Sequence, residues 1–199
     1  MPIDEGAEAE VLIGREGSQF PTSWAGGLLA FYELGNVTAR DIFTWSLADR
    51  VATEIVATPS NERGAVFSPD GSLLAYVSNE SGSDQVYVRQ YPGPGGREVV
   101  STEGGTEPVW HPSGRELFFW SGNRLQAARI RTEPRLAADL PQTLFEGSYV
   151  RAPVDPGRAN YDVNPDGQSF VMIRPAEGSP ARLHVIENWI EALRSTAAE

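Results

Sequence analysis

Cysteine is absent from the 199 residues. That excludes disulfides, thiol nucleophiles and cysteine-ligated metal, and it leaves the compartment open. Histidine is nearly absent: His111 and His184 are the only two, so nucleophile–base catalysis has little to draw on. No apolar run approaches the ~20 residues that span a bilayer. The opening stretch MPIDEGAEAE has neither the positive nor the apolar region of a secretion signal. The chain therefore carries no address of its own, and bacterial periplasm and cytoplasm both suit it. Positive charge is scarce as well: 16 basic against 27 acidic residues leave a net charge of −11. Such a charge repels nucleic acid and anionic membrane surfaces at long range.

Glycine (20) and proline (15) are frequent instead, which suits many tight turns and few long helices. In FSPDGSLLAY, residues 67–76, Pro69, Asp70 and Gly71 spell a tight turn. The apolar run that follows reads as a strand buried on both faces. The same arrangement returns in WHPSGRELFFW (110–120) and in VNPDGQSFVMI (163–173). A fainter copy lies in SWAGGLLAFYEL (23–34), where the Pro-Asp pair is missing. The spacings from Gly26 to Gly71, Gly114 and Gly167 are about 45, 43 and 53 residues. Between the turns come strand-like segments such as QVYVRQYP and RDIFTWSLAD, so each unit offers four short strands. Period and strand count predict an all-β β-propeller of about four blades of four antiparallel strands, a partial or small ring. The units run 19–60, 61–104, 105–147 and 158–187, within a single domain or fragment covering 1–199, followed by a short C-terminal helix over 187–197.

These repeats resemble the WD-like propeller repeats of the TolB type. The resemblance rests on FSPDGSLLAYVSNESGSDQVYVRQYPGPGG, VSTEGGTEPVWHPSGRELFFWSGNRLQAARI and YDVNPDGQSFVMI. Such repeats occur in bacterial TolB, in the propeller halves of some peptidases, and in C-terminal regions of bacterial serine/threonine kinase-like proteins. The ending LHVIENWIEALRS is similar to the strand and short helix that close the last group. Propellers of that family usually have six or more blades, against four starts here. The segment AEVLIGREG (9–17) reads as an outermost strand without a blade of its own, and the last unit lacks a fourth strand. The two are complementary: one terminal strand completing the other terminal blade would remove exposed edges.

The chemical signals point away from catalysis. His111 occupies the turn slot filled by Ser68 and Asn164, and His184 lies in a strand with no Gly-x-Ser-x-Gly elbow in the chain. Asp162, Asn164, Asp166 and Gly167 open like a calcium loop, but the twelfth position is Ile173 rather than Glu. GPGG (93–96) precedes no helix that would aim at a phosphate. The sequons at Asn36 and Asn79 fall in loops, and in repeats of bacterial look they read as chance. Trp110, Phe118, Phe119 and Trp120 read as core. Trp189, Ile186, Ile190 and Leu193 make a helical stripe suited to docking on the propeller. No catalytic residue, cofactor or metal is expected.

What remains is geometry. By repeat alignment Thr22, Arg63, Glu107 and Arg158 start the innermost strands and are expected to line the channel mouth. The long connection from Pro134 to Arg158 adds Tyr149 and Arg151 as interface candidates. The resemblance implies a non-catalytic scaffold that binds a protein or peptide partner, or senses a small ligand, without nucleic acid or membrane insertion. The alternative is an accessory propeller of a larger enzyme, either the sensor tail of a kinase-like protein or the gate of a peptidase.

Overall fold

A computed structural model describes residues 10–34, 40–93, 95–151, 158–176 and 179–187, with side chains through Pro175. Among these residues the regular structure is entirely β. Sheet 1 comprises β1 (Gln19–Ala25), β2 (Leu28–Leu34), β3 (Arg40–Ser46) and β4 (Val51–Val56). Sheet 2 comprises β5 (Arg63–Phe67), β6 (Leu73–Ser78), β7 (Gln85–Gln90) and β8 (Arg97–Val99). Sheet 3 comprises β9 (Thr106–Trp110), β10 (Glu116–Ser121) and β11 (Arg124–Arg131), whose far edge takes both β12 (Ala137–Ala138) and β13 (Gln142–Glu146). Sheet 4 comprises β14 (Tyr161–Val163), β15 (Ser169–Ala176) and β16 (Ser179–Glu187). Each sheet is an antiparallel meander in chain order.

The repeated turn is one structure used three times. Gly71 N–H donates to Ser68 O at 2.8 Å, Gly114 to His111 O at 2.8 Å and Gly167 to Asn164 O at 2.7 Å. The three glycines have φ of 73°, 69° and 72°, a region costly for any residue with a Cβ. Side chains reinforce each turn. Ser68 and Ser72 donate to Asp70 and hold its carboxyl below the usual carboxylate range. His111 Nδ1 accepts the N–H of Ser113 at 3.0 Å, and Asn164 Oδ1 accepts that of Asp166 at 3.4 Å. His111 is thus a turn residue. The faint first copy is a different solution: Ala25 pairs with Leu28 across Gly26 and Gly27, both at positive φ, a two-residue hairpin that needs no Pro-Asp.

Burial on both faces of the second strands follows from stacking. β6 sends Leu74 and Tyr76 toward Ala30 and Ile42 of sheet 1, and Leu73, Ala75 and Val77 toward Trp110, Leu117 and Phe119 of sheet 3. β10 sends Phe118 and Trp120 the other way, to Tyr161, Phe170 and Met172 of sheet 4. Each of the larger aliphatic and aromatic side chains among them contributes roughly 1.5–3 kcal/mol by leaving water. Sheets 1 to 4 therefore stack in sequence through three apolar layers. Among the described residues no apolar cluster joins sheet 4 to sheet 1.

Two expectations change. Residues 10–17 form no strand. Leu12 and Ile13 instead pack on the outer face of sheet 1, against Phe31, Phe43 and Trp45, where a preceding sheet would otherwise lie. Arg15 pins this segment: its guanidinium sits 4.6 Å from the Phe43 ring centroid, and Nε donates to Glu33 at 2.8 Å. The segment thus caps sheet 1 rather than completing sheet 4, which has three strands among the described residues. Residues 188–197 of the expected helix, with Trp189, Ile190 and Leu193, lie outside the described residues. Ile186 of the expected stripe and Glu187, the first residue of the expected helix, belong to β16 instead.

Candidate axial ligand site

The innermost strands β1, β5, β9 and β14 converge, each tied to the one before. Thr22 Oγ1 donates to Ala65 O at 2.7 Å, and Ser23 Oγ accepts Phe67 N–H at 3.1 Å. Trp110 Nε1 donates to Val66 O at 3.1 Å, and the Tyr161 hydroxyl to Glu107 O at 3.0 Å. Burial, and then the nearby Glu107 carboxylate, push the Tyr161 phenol well above its ordinary range. Arg158 reaches across the convergence point, donating to Pro21 O from Nη2 at 2.9 Å and from Nε at 3.3 Å. The Arg158 side chain thus links the residues before β14 to β1.

A bulge decides which side chains face the centre. The pairing of β5 with β6 skips between Arg63 and Val66, and that of β9 with β10 skips at the matching place. The bulged residues are Gly64 at φ 63° and Glu107 at φ 56°. Register then equates Ser23, Val66, Val109 and Asp162, one from each inner strand. All four line a cavity of about 720 Å³ at the convergence point, within the size range of small-ligand pockets. The next position along carries Trp24, Phe67 and Trp110, which also line it. Trp24 is 55% exposed, while Phe67 and Trp110 are buried. Among the described residues, Arg158 and Asp162 are the only charged ones in the lining.

Of the expected site residues, Thr22 and Arg158 line this cavity and the other four do not. Arg63 is buried and ion-paired with Asp84. Glu107 is buried too: Arg151 Nε donates to it at 2.8 Å, and so does Asn160 N–H at 2.8 Å. Arg151 also donates to Thr106 Oγ1 at 2.7 Å and to Gly122 O at 2.9 Å, with its guanidinium 4.5 Å from the Trp120 ring centroid. Tyr149 packs at centroid distances of 5.6 Å from Trp120 and 6.0 Å from Phe145. Tyr149 and Arg151 therefore fasten the long connection to sheet 3. Ser23, Trp24, Val66 and Val109 escaped the sequence reading, which paired Arg63 with Glu107 at the strand starts. The register instead matches Arg63 to Thr106 and Gly64 to Glu107, and the residues that line the cavity lie beyond the bulge.

The calcium-like segment makes local backbone bonds, Asp162 within β14 and Asp166 within the turn. Asp162 Oδ1 accepts Val163 N–H at 2.8 Å, and Asp166 Oδ1 accepts Gln168 N–H at 2.8 Å. Among the described residues no three His, Asp or Glu side chains are grouped to hold a metal ion. Asn79, of the second sequon, accepts Asn61 N–H at 2.9 Å, while Asn36 lies outside the described residues. Among the described residues no helix is long and apolar enough to cross a membrane.

No known protein-family pattern matches the chain. Solved structures do. TolB from Acinetobacter baumannii is 14% identical, with 92% of this chain and 44% of that one covered at a TM-score of 0.65. A putative TolB from Agrobacterium tumefaciens is 16% identical, with 82% and 58% covered at a TM-score of 0.58. An oligogalacturonate lyase in complex with manganese is 14% identical, with 92% and 55% covered at a TM-score of 0.63. The chain spans about half the length of these structures. At such identities the likeness is one of fold: four antiparallel sheets arranged as in TolB-type and other β-propellers.

Proposed function

We propose that the chain is a non-catalytic propeller scaffold that binds a protein or peptide segment, or a small ligand, in the axial cavity. The observation that carries this reading is the convergence of Ser23, Val66, Val109 and Asp162 on one open cavity beside the exposed Trp24. Every other large ring around the cavity is packed into an inter-sheet layer, so an exposed tryptophan at the mouth is a ready anchor for a partner. Neither histidine supports an enzymatic reading of the cavity: His111 serves its turn and His184 lies in β16. The same scaffold occurs in an enzyme, the oligogalacturonate lyase, and this keeps a second reading, an accessory propeller of a larger enzyme, alongside the first.

Filling the cavity tests the proposal. A random peptide library is selected on the wild-type chain and on a Val66→Trp variant whose circular dichroism spectrum is unchanged. Peptides enriched on the wild type and lost on the variant support the axial site. Equal enrichment on both overturns the axial site, and none on either overturns its reading as a peptide site.

A further inference from the structure

The axial cavity has two ends of opposite character, and they bear on what would enter it. Asp162 stands at the level of Ser23, whereas Arg158 is turned back onto the carbonyl of Pro21, two residues earlier along β1. A register shift between Pro21 and Ser23 makes these two residues a single step along β2, from Phe31 to Ala30, roughly 3.4 Å, so the two charges occupy neighbouring levels of the channel. Trp24 lies one residue beyond Ser23, toward the hairpin turns, and offers an exposed ring at that end.

Resting on the proposed axial site, we infer that its ligand is an extended protein segment presenting one basic side chain, guanidinium or ammonium, from the turn end. The aliphatic stem would lie along Trp24, whose ring face attracts a cation, and the head would reach the Asp162 carboxylate. Among the described residues Asp162 is the one carboxylate in the cavity, in the place where the three equivalent inner strands carry Ser23, Val66 and Val109. Arg158 sets the depth: a second positive charge farther in would meet its guanidinium, so the segment carries one cation at the mouth and none behind it. The net charge of −11 draws basic partners toward the chain and repels acidic ones, raising encounter rates at low salt. An acidic segment anchored on Arg158 is the opposite assignment. It would work against that field.

The test uses three acetylated and amidated heptapeptides, Gly-Ser-Gly-X-Gly-Ser-Gly, with X as Arg, Leu or Glu, titrated calorimetrically into the whole chain. The Arg peptide should bind at least about tenfold more tightly than the other two, with an affinity that falls as salt is raised. Asp162→Asn keeps the acceptor for Val163 N–H and so spares this local bond of β14. It should weaken the Arg peptide by about tenfold and leave the Leu peptide unchanged. Val66→Trp should abolish binding. If the Leu or Glu peptide binds as well as the Arg peptide, or Asp162→Asn changes nothing while Val66→Trp still blocks binding, the basic ligand is refuted and the axial site stands. If no peptide responds to Val66→Trp, both fail.

Discussion

Gly167 has φ of 72°, and a methyl group on its Cα would stand 2.1 Å from Nε2 of His111 in the preceding turn. Gly71 has the same backbone, yet nothing lies within 4 Å of the same methyl. The pair separates backbone strain from contact between neighbouring turns. Gly71→Ala should cost about 1–2 kcal/mol, the left-handed penalty alone. Gly167→Ala should cost more, and adding His111→Ser, the residue found at position 68, should return it to the Gly71→Ala value. Thermal melts of the three variants check this, and equal losses for the two single variants would refute the contact. Proline, aspartate and glycine made these turns legible in the sequence, because each supplies a backbone angle or a local acceptor that the turn demands. The contact between turns had no such signature. A histidine in a turn looks the same whether its ring faces water or the next turn.

At the level of strands, two-sided burial was legible and facing was not. LLAYVS and ELFFWS show no polar alternation, and β6 and β10 are indeed packed between neighbouring sheets. Phe118 is fully buried with its ring edge-on to Phe170 at 4.9 Å. Phe118→Ala should therefore cost about 3–5 kcal/mol in urea unfolding. Val99→Ala on the exposed edge strand β8 should stay within about 0.5 kcal/mol. Similar losses at both positions would contradict stacked sheets. Inner strands misled the reading because one bulged residue flips every side chain beyond it to the other face. Glycine at 64 advertises such a bulge, but its counterpart at 107 is a glutamate, which is rare at positive φ. The Arg151 and Asn160 bonds that hold Glu107 come from 44 and 53 residues away, beyond any local pattern. Residues 10–17 misled for a related reason. Two adjacent apolar residues between polar ones suit an edge strand and a capping loop equally, and only the bare face of sheet 1 selects the second.

On the scale of the whole molecule, the period of about 45 residues announced repeated sheets, and the inner-strand bonds show what the repeats do together. Side chains 43, 44 and 54 residues apart link consecutive sheets at one place, as copies of a unit wound about an axis require. Stacking buries the sheet faces, the 10–17 segment caps the first face, and the shared centre leaves an opening lined by residues from all four sheets. The absence of cysteine makes the geometry directly measurable, since labels go only where cysteines are introduced. Spin labels at Ser23 and Val109 join the inner strands of sheets 1 and 3. Labels at Glu54 and Gln142 join the exposed outer strands of the same two sheets. Sheets fanned about an axis must hold the inner pair distinctly closer than the outer pair in pulsed dipolar distance measurements. Equal separations for the two pairs, as in a flat parallel stack of sheets, would contradict the propeller and the axial site with it.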